Sequence, residues 1–298
     1  MIRFVCIGEC MVELSAAGDG LLARRFAGDA YNTAVYFKRA LPAAEVKFLT
    51  AVGADPLSLA MRGAWRAEGV EGDLAFTVPG RRPALYLIET DLAGERQFHY
   101  WRGESAAKEW FAMLYAAGGA TLLAGANLIY LSGISLAILS PQERAAALDL
   151  LHEVYDQGGR IAFDPNLRPA LWPSIDAARQ VFERMVALSD ILLPSRQDLE
   201  ALYGVGDSRE QMRLLTGIGA REVALTSDAA NALIFDGELH VLTPPRAQVV
   251  DTSGGGDSFN GAYLAARLNG ADASEAARRG LDLAARVVGQ PGALIPRG

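Results

Sequence analysis

The chain has 298 residues, 51% hydrophobic and 21% charged, which excludes a disordered polymer and is enough to bury a large core. A formal net charge of -7, with no Lys or Arg run longer than a pair, argues against nucleic acid or an anionic membrane surface as partner. No apolar run is long enough to span a bilayer, and the opening MIRFVCIGECMVEL lacks the basic lead and cleavage site of a signal peptide, so a cytoplasmic protein is expected.

Along the chain, strand-like runs alternate with helical ones. Strands are expected at FVCIG (4–8), KFLTAV (47–52), NLIYLSG (127–133), RIAFDP (160–165), DILLP (190–194) and EVALTS (222–227). Between them fall the helical stretches NTAVYFKRAL, LSLAMRGAWRAEG, PQERAAALDLLHEVYDQ, SIDAARQVFERMVAL and RQDLEALYG, most of them opening near Ser, Asn, Asp or Pro. That alternation marks a parallel sheet covered on both faces. ALIFDGELHVLTP then reads as a hairpin turning at Asp236–Gly237, and two helices close the chain.

The segment 84–102, ALYLIETDLAGERQFHYWR, breaks the pattern. It alternates with period two, turns through Asp91 to Glu95 and alternates again, as an antiparallel hairpin outside the parallel sheet would. With the stretch after Glu9 it is expected to form a small sheet covering a site. Alternation lets only one of Tyr100 and Trp101 point inward.

Cys6 and Cys10 would lie roughly 13 Å apart on an extended chain and are expected as reduced core residues. His99, His152 and His240 have no metal-ligand spacing, so no metal site is expected from the protein's own side chains.

Residues 249–268, VVDTSGGGDSFNGAYLAARL, place three glycines between Asp251 and Asp257, immediately before a helix whose apolar positions Phe259, Tyr263, Leu264 and Leu268 recur with helical spacing. Residues without Cβ let successive N–H groups point outward where the positive end of the helix dipole emerges, which is an anion site suited to phosphate. A carboxylate would repel a phosphate that is merely held. Beside a phosphoryl group in transfer, however, Asp257 can orient an incoming hydroxyl and accept its proton, kept ionised by the helix terminus. The other reading is that Asp257 only caps the helix and the glycines only make the turn. Neither G-x-x-x-x-G-K-[ST] nor a G-x-G-x-x-G after the first strand is present.

DTSGGGDSFNGA resembles the C-terminal signature of the ribokinase-like (PfkB) sugar kinases, D-T-[TS]-G-A-G-D-x-F-x-x-G, with Gly255 in the alanine position. AGDAYNTAVYFKRAL (27–41) is similar to that family's G-G-x-x-x-N-x-A substrate motif, with Ala27 leading, and FLTAVGADP to its V-G-x-D segment. IGECMVELS, YWRGESAAKEW, FDPNLRPALW and SDILLPSRQDLEALYG resemble one branch, the 2-keto-3-deoxygluconate kinases, whose substrate is a sugar acid.

The resemblance implies an α/β fold: a Rossmann-like three-layer αβα sandwich with a mostly parallel, doubly wound sheet and a small β-sheet lid. It implies one kinase domain over 1–298, the lid being built from about 9–27 and 84–102. It implies transfer of the γ-phosphoryl of Mg-ATP to a sugar-acid hydroxyl, giving the 6-phosphate, with Asp257 as base and Gly254, Gly255, Gly256 and Asp257 as the anion hole. Gly28, Asp29, Asn32, Tyr86, Tyr100, Arg102 and Arg168 would meet the sugar. A guanidinium fork is the best holder of a carboxylate, which suits the two arginines. Asn166, Arg168, Ser195, Thr226, Ser227, Gly254 and Gly256, with the segment 291–293, would border ATP, and K+ is a candidate activator.

Two departures bear on the nucleotide side. The family's N-x-x-E reads Ser195, Arg196, Gln197, Asp198, which leaves the magnesium route open, and Ser227 and Ala230 replace glycines of the nucleotide loop. A neutral-sugar kinase of the same family and a non-catalytic sugar-binding protein remain as alternatives. The exposed hairpin sheet invites pairing with its copy, so a dimer through the lid is expected.

Overall fold

A computed structural model describes residues 1–90, 96–227 and 230–297. The expected turn at Asp91 to Glu95 lies outside them. Among the described residues the strands are β1 (Arg3–Ile7), β2 (Met11–Ala16), β3 (Leu22–Ala27), β4 (Glu45–Val52), β5 (Ala75–Thr77), β6 (Leu85–Thr90), β7 (Arg96–Trp101), β8 (Leu128–Ser132), β9 (Ile161–Asp164), β10 (Ile191–Leu192), β11 (Glu222–Leu225), β12 (Ala232–Phe235) and β13 (Leu239–Leu242). The helices are α1 (Asp29–Ala40), α2 (Pro56–Glu68), α3 (Trp110–Ala116), α4 (Gly133–Ala137), α5 (Pro141–Asp156), α6 (Ile175–Leu188), α7 (Arg196–Tyr203), α8 (Ser208–Gly217), α9 (Gly255–Leu268) and α10 (Ala273–Val288).

Nine strands form one sheet in the order β13-β12-β11-β10-β9-β8-β1-β4-β5, parallel from β11 to β5, with the β12–β13 hairpin antiparallel at the other edge. Both faces are buried, so the central strands read as unbroken apolar runs while successive side chains enter different cores. Val5, Ile7, Ile129, Leu131 and Phe163 pack with α5, α6 and α8 on one face. Phe4, Cys6, Leu128, Tyr130 and Ala162 pack with α1, α2, α9 and α10 on the other. This is the expected three-layer sandwich. Both cysteines are buried and free, Cys6 donating to the carbonyl of Ala30.

The second sheet, ordered β3-β2-β6-β7, rises from the carboxyl end of the first, where β1 runs on into β2 and β3 runs into α1. The expected hairpin is β6–β7, with Tyr86 opposite Tyr100, and β2 brings Glu13 beside Tyr86. Tyr100 therefore shares the Glu13–Tyr86 face, and its neighbour Trp101 takes the other.

Sequence periodicity missed β5, the helices over 106–116 and α8. Residues 106–116 are apolar with scattered charges and carry no cap stronger than Ser105. The strand β5 has three residues, too few for a period to show.

Helix α9 lies against α1 because Gly261 allows it. A Cβ there would stand 2.8 Å from both the Thr33 carbonyl oxygen and the Phe37 nitrogen. That close approach sets Asn32 beside Asp257.

Candidate active site

Three distant parts of the chain meet at the carboxyl ends of the parallel strands, the usual ligand position in doubly wound sheets. The turn before α9 comes from the C-terminal third. Gly254 has φ 74°, in the left-handed region, and a Cβ on it would sit 2.4 Å from the carbonyl oxygen of Ala293, so only glycine fits. Asp251, buried, fixes the turn from below: it accepts from the N–H of Ser253 at 3.0 Å and from that of Gly292 at 2.5 Å. The Gly255 N–H makes a long bond to Thr252 (3.3 Å), while those of Gly256 and Asp257 lie in the first turn of α9, where a helix offers no acceptor.

The start of α1 supplies the facing groups. The Asn32 amide donates to Asp257 Oδ2 at 2.8 Å, and its Oδ1 accepts from Gly28 N at 3.4 Å. Asp29 accepts from the Asn166 amide at 2.8 Å. Asn166 itself has φ 34°, an uncommon backbone for a residue with Cβ, fixed by its N–H donating to Asp164 at 2.9 Å. Asn166, which the resemblance assigned to the nucleotide, thus turns its side chain toward Asp29.

Four carboxyls, Asp29, Asp164, Asp198 and Asp257, crowd this region, and burial sets the charge of Asp164 and Asp257. Asp164 is pushed well above the carboxylate range by burial and then by Asp198, Asp257 and Asp29, and it accepts from the Asn260 amide at 2.8 Å. Asp257 reaches the cleft with part of its surface while protein closes round the rest. Burial first, and Asp29 second, push it up to about 7, against the Asn32 amide and the Arg168 guanidinium. The expectation that the helix terminus keeps Asp257 firmly ionised is therefore corrected: desolvation and a like charge outweigh it.

On one face of the small sheet, the Tyr86 hydroxyl donates to Glu13, and the Tyr86 and Tyr100 rings stand 5.7 Å apart. Arg102 Nη2 meets the buried Glu9 carboxylate at 2.5 Å, and Ser105 donates to the other Glu9 oxygen, also at 2.5 Å. The guanidinium lies 5.8 Å from the Tyr100 ring centre, and its Nε is buried without a partner. An orphaned donor of this kind fits a ligand oxygen. Sequence reading had passed over Glu9, Glu13, Asp164 and Asn260. Glu9 carried a signal: a charged residue directly after the buried run ending at Gly8.

Among the residues expected to border ATP, Ser195 forms a reciprocal capping box with Asp198 at the start of α7, and the second Asp198 oxygen accepts from Leu167 N at 2.8 Å. Ser195 is bridged to Thr226 at the ends of β10 and β11. Ser227 lines an open cleft of about 540 Å³ with Arg196, Gly206, Asp207 and Asn231, but none of Gly254 to Asp257 borders it. Among the described residues no cluster of His, Cys, Asp or Glu has the arrangement of a metal site. No helix of the described residues is long and apolar enough to cross a membrane.

An amide-lined turn at a helix start, a titratable carboxylate above it and a ring of polar groups on the far side thus meet at one end of the parallel sheet, an arrangement suited to phosphoryl transfer. The chain belongs to the pfkB family of carbohydrate kinases, whose description matches residues 1–297. It is 42% identical to the 2-dehydro-3-deoxygluconokinase of Escherichia coli K12 over 99% of this chain and 97% of that protein. It is also 42% identical to the enzyme of that name from Dickeya dadantii, over 97% and 96%. A putative ribokinase II from E. coli, solved in complex with ATP and Mg2+, superposes with a TM-score of 0.85 at 22% identity, covering 98% of this chain and 94% of that one, a likeness of fold.

Proposed function

We propose that this protein transfers the γ-phosphoryl group of Mg-ATP to the 6-hydroxyl of 2-keto-3-deoxygluconate, the compound also named 2-dehydro-3-deoxygluconate. The observation that carries the reading is Asp257, set at the head of the glycine turn and faced by Asn32, with Asp29 and Arg168 close enough to move its titration. Identity of 42% to enzymes named for this substrate, across nearly the whole chain, supports the choice of sugar.

In this reaction the sugar hydroxyl gives its proton to Asp257 while its oxygen forms a bond to the γ-phosphorus. The bond from that phosphorus to the bridging oxygen breaks, and its electron pair leaves with ADP. The N–H groups of the turn carry the charge on the phosphoryl oxygens as it moves. A base titrating near 7 is matched to this step at neutral pH. Asp29, Asn32, Tyr86, Tyr100, Arg102 and Arg168 hold the sugar acid, the buried Arg102 Nε being a donor available to it. Magnesium would be supplied with the nucleotide and would offset negative charge on its phosphates. Asp198 accepts from Leu167 N and the Ser195 cap rather than standing free for the metal.

The reading includes a cytoplasmic enzyme, paired with its copy through the small sheet. Equilibrium sedimentation tests the pairing, and a monomeric mass at high concentration contradicts it. The function is tested by ADP release with 2-keto-3-deoxygluconate, its galactose-derived epimer, fructose and ribose, in potassium and in sodium buffer to read activation by K+. Preference for the first sugar supports the reading; preference for fructose or ribose overturns it.

A further inference from the structure

Arg25 of the small sheet has no partner among the described residues, and it stands beside Gly292, in the segment that braces the glycine turn. Arg25 lies in β3, opposite Glu13 of β2, and Glu13 is in turn opposite Tyr86. Paired residues project from the same side of a sheet, so Arg25 shares the face that carries Glu13, Tyr86 and Tyr100. Its natural cross-strand partner is Glu13, but that carboxylate is engaged by the Tyr86 hydroxyl. No ion pair or side-chain hydrogen bond of Arg25 exists among the described residues. Two neighbouring arginines differ: Arg24, on the opposite face, lies 5.6 Å from the Phe26 ring centre, and Arg102, just past β7, holds Glu9.

The side chain of Arg25 leads back to the body of the protein. Its Nη1 lies 3.0 Å from the point a Cβ on Gly292 would occupy. Gly292 is bonded to Asp251, and its neighbour Ala293 is the residue against which Gly254 packs. An uncommitted guanidinium thus reaches from the lid to the loop that braces the anion turn. Hydration makes such a charge tolerable while the cleft is open. In a closed, drier site it would need an anion, and the reaction supplies one at the turn that this loop braces, the phosphoryl group.

We propose that Arg25 is a catalytic residue that the lid contributes to phosphoryl transfer, its guanidinium pairing with the oxygens of the transferred group. The assignment rests on the kinase reading above. It gives the small sheet a chemical part beyond covering the sugar, because closure would deliver a positive charge where negative charge develops.

Arg25→Ala, Arg25→Lys and the wild type are compared on whichever sugar of the panel the wild type turns over, so failure of the substrate reading stays separate from failure of this one. Arg25 is exposed on an edge strand, and equal melting temperatures would show that the variants fold. The expected result for Arg25→Ala is a fall in kcat of about 100-fold, the scale of losing one transition-state donor, with KM for the sugar unchanged. Arg25→Lys should recover part of it, because a point charge lacks the planar fork. Inhibition by ADP with aluminium fluoride and the sugar should weaken in step with kcat, while ADP alone binds as before. Wild-type kcat in Arg25→Ala overturns the proposal. So does a rise in sugar KM alone, which would assign Arg25 to the sugar.

Discussion

The side-chain amide of Asn32 donates to the carboxylate of Asp257 across 2.8 Å, joining the first helix to the ninth over 225 positions of sequence. The bond favours the ionised acid, yet Asp257 still titrates near 7 because burial and Asp29 act more strongly the other way. Asp257 is thus balanced where small changes in its surroundings move it across neutral pH.

That balance sets the pH profile. A base must be deprotonated to act, so kcat/KM should rise about tenfold per pH unit up to about 7 and then level. Asp29→Asn removes the neighbouring negative charge, so the acid limb should move to lower pH even if the plateau falls. A limb unchanged in Asp29→Asn would separate the two groups.

Stability should respond with the opposite sign to that of an ordinary acid. Asp257 titrates higher folded than unfolded, so the native state binds the extra proton between about pH 4 and 7, and stability falls as pH rises through that window. Asp257→Asn carries no charge to bury. It should match the wild type near pH 4 and exceed it by ~2–4 kcal/mol at pH 8, as urea titrations at the two pH values would report.

Arg102 should discriminate between sugars. Arg102→Leu is expected to lower kcat/KM about 10- to 100-fold for the sugar acid, the scale of one hydrogen bond to a charged group, and to spare fructose turnover where any is measurable. Equal losses on both sugars would assign Arg102 to holding Glu9 and the lid rather than to reading the carboxylate.

Gly254→Ala tests the turn. The new methyl would meet Ala293 at 2.4 Å on a left-handed backbone, so both melting temperature and kcat should fall, by at least ~1–3 kcal/mol in stability. Unchanged urea midpoint and kcat would mean that the turn has room and that its shape does not set the anion hole.

Much of this architecture could be read from the chain. Strands buried on both faces are continuous apolar runs, and β1, β4, β8, β9, β10 and β11 all stood out that way. The hairpin β6–β7 declared itself by period two, and the glycine turn by a composition that few other structures need. What sequence could not give was charge state, because desolvation depends on which distant groups come to lie together: Asp29, Asp164, Asp198 and Asp257 span most of the chain. The Glu9–Arg102 pair was hidden for the same reason, its members being 93 positions apart. Nothing in the sequence singles out Arg25, and only the register against Glu13 and the approach to Gly292 distinguish it from Arg24.

Phosphoryl transfer in the proposed reaction depends on Asp257 accepting the hydroxyl proton. Single-turnover kinetics of Asp257→Asn with saturating Mg-ATP and 2-keto-3-deoxygluconate measure that role directly. Phosphoryl transfer slowed by about 10²- to 10⁴-fold, with both substrates still bound, is the predicted result. Transfer at the wild-type rate would contradict it.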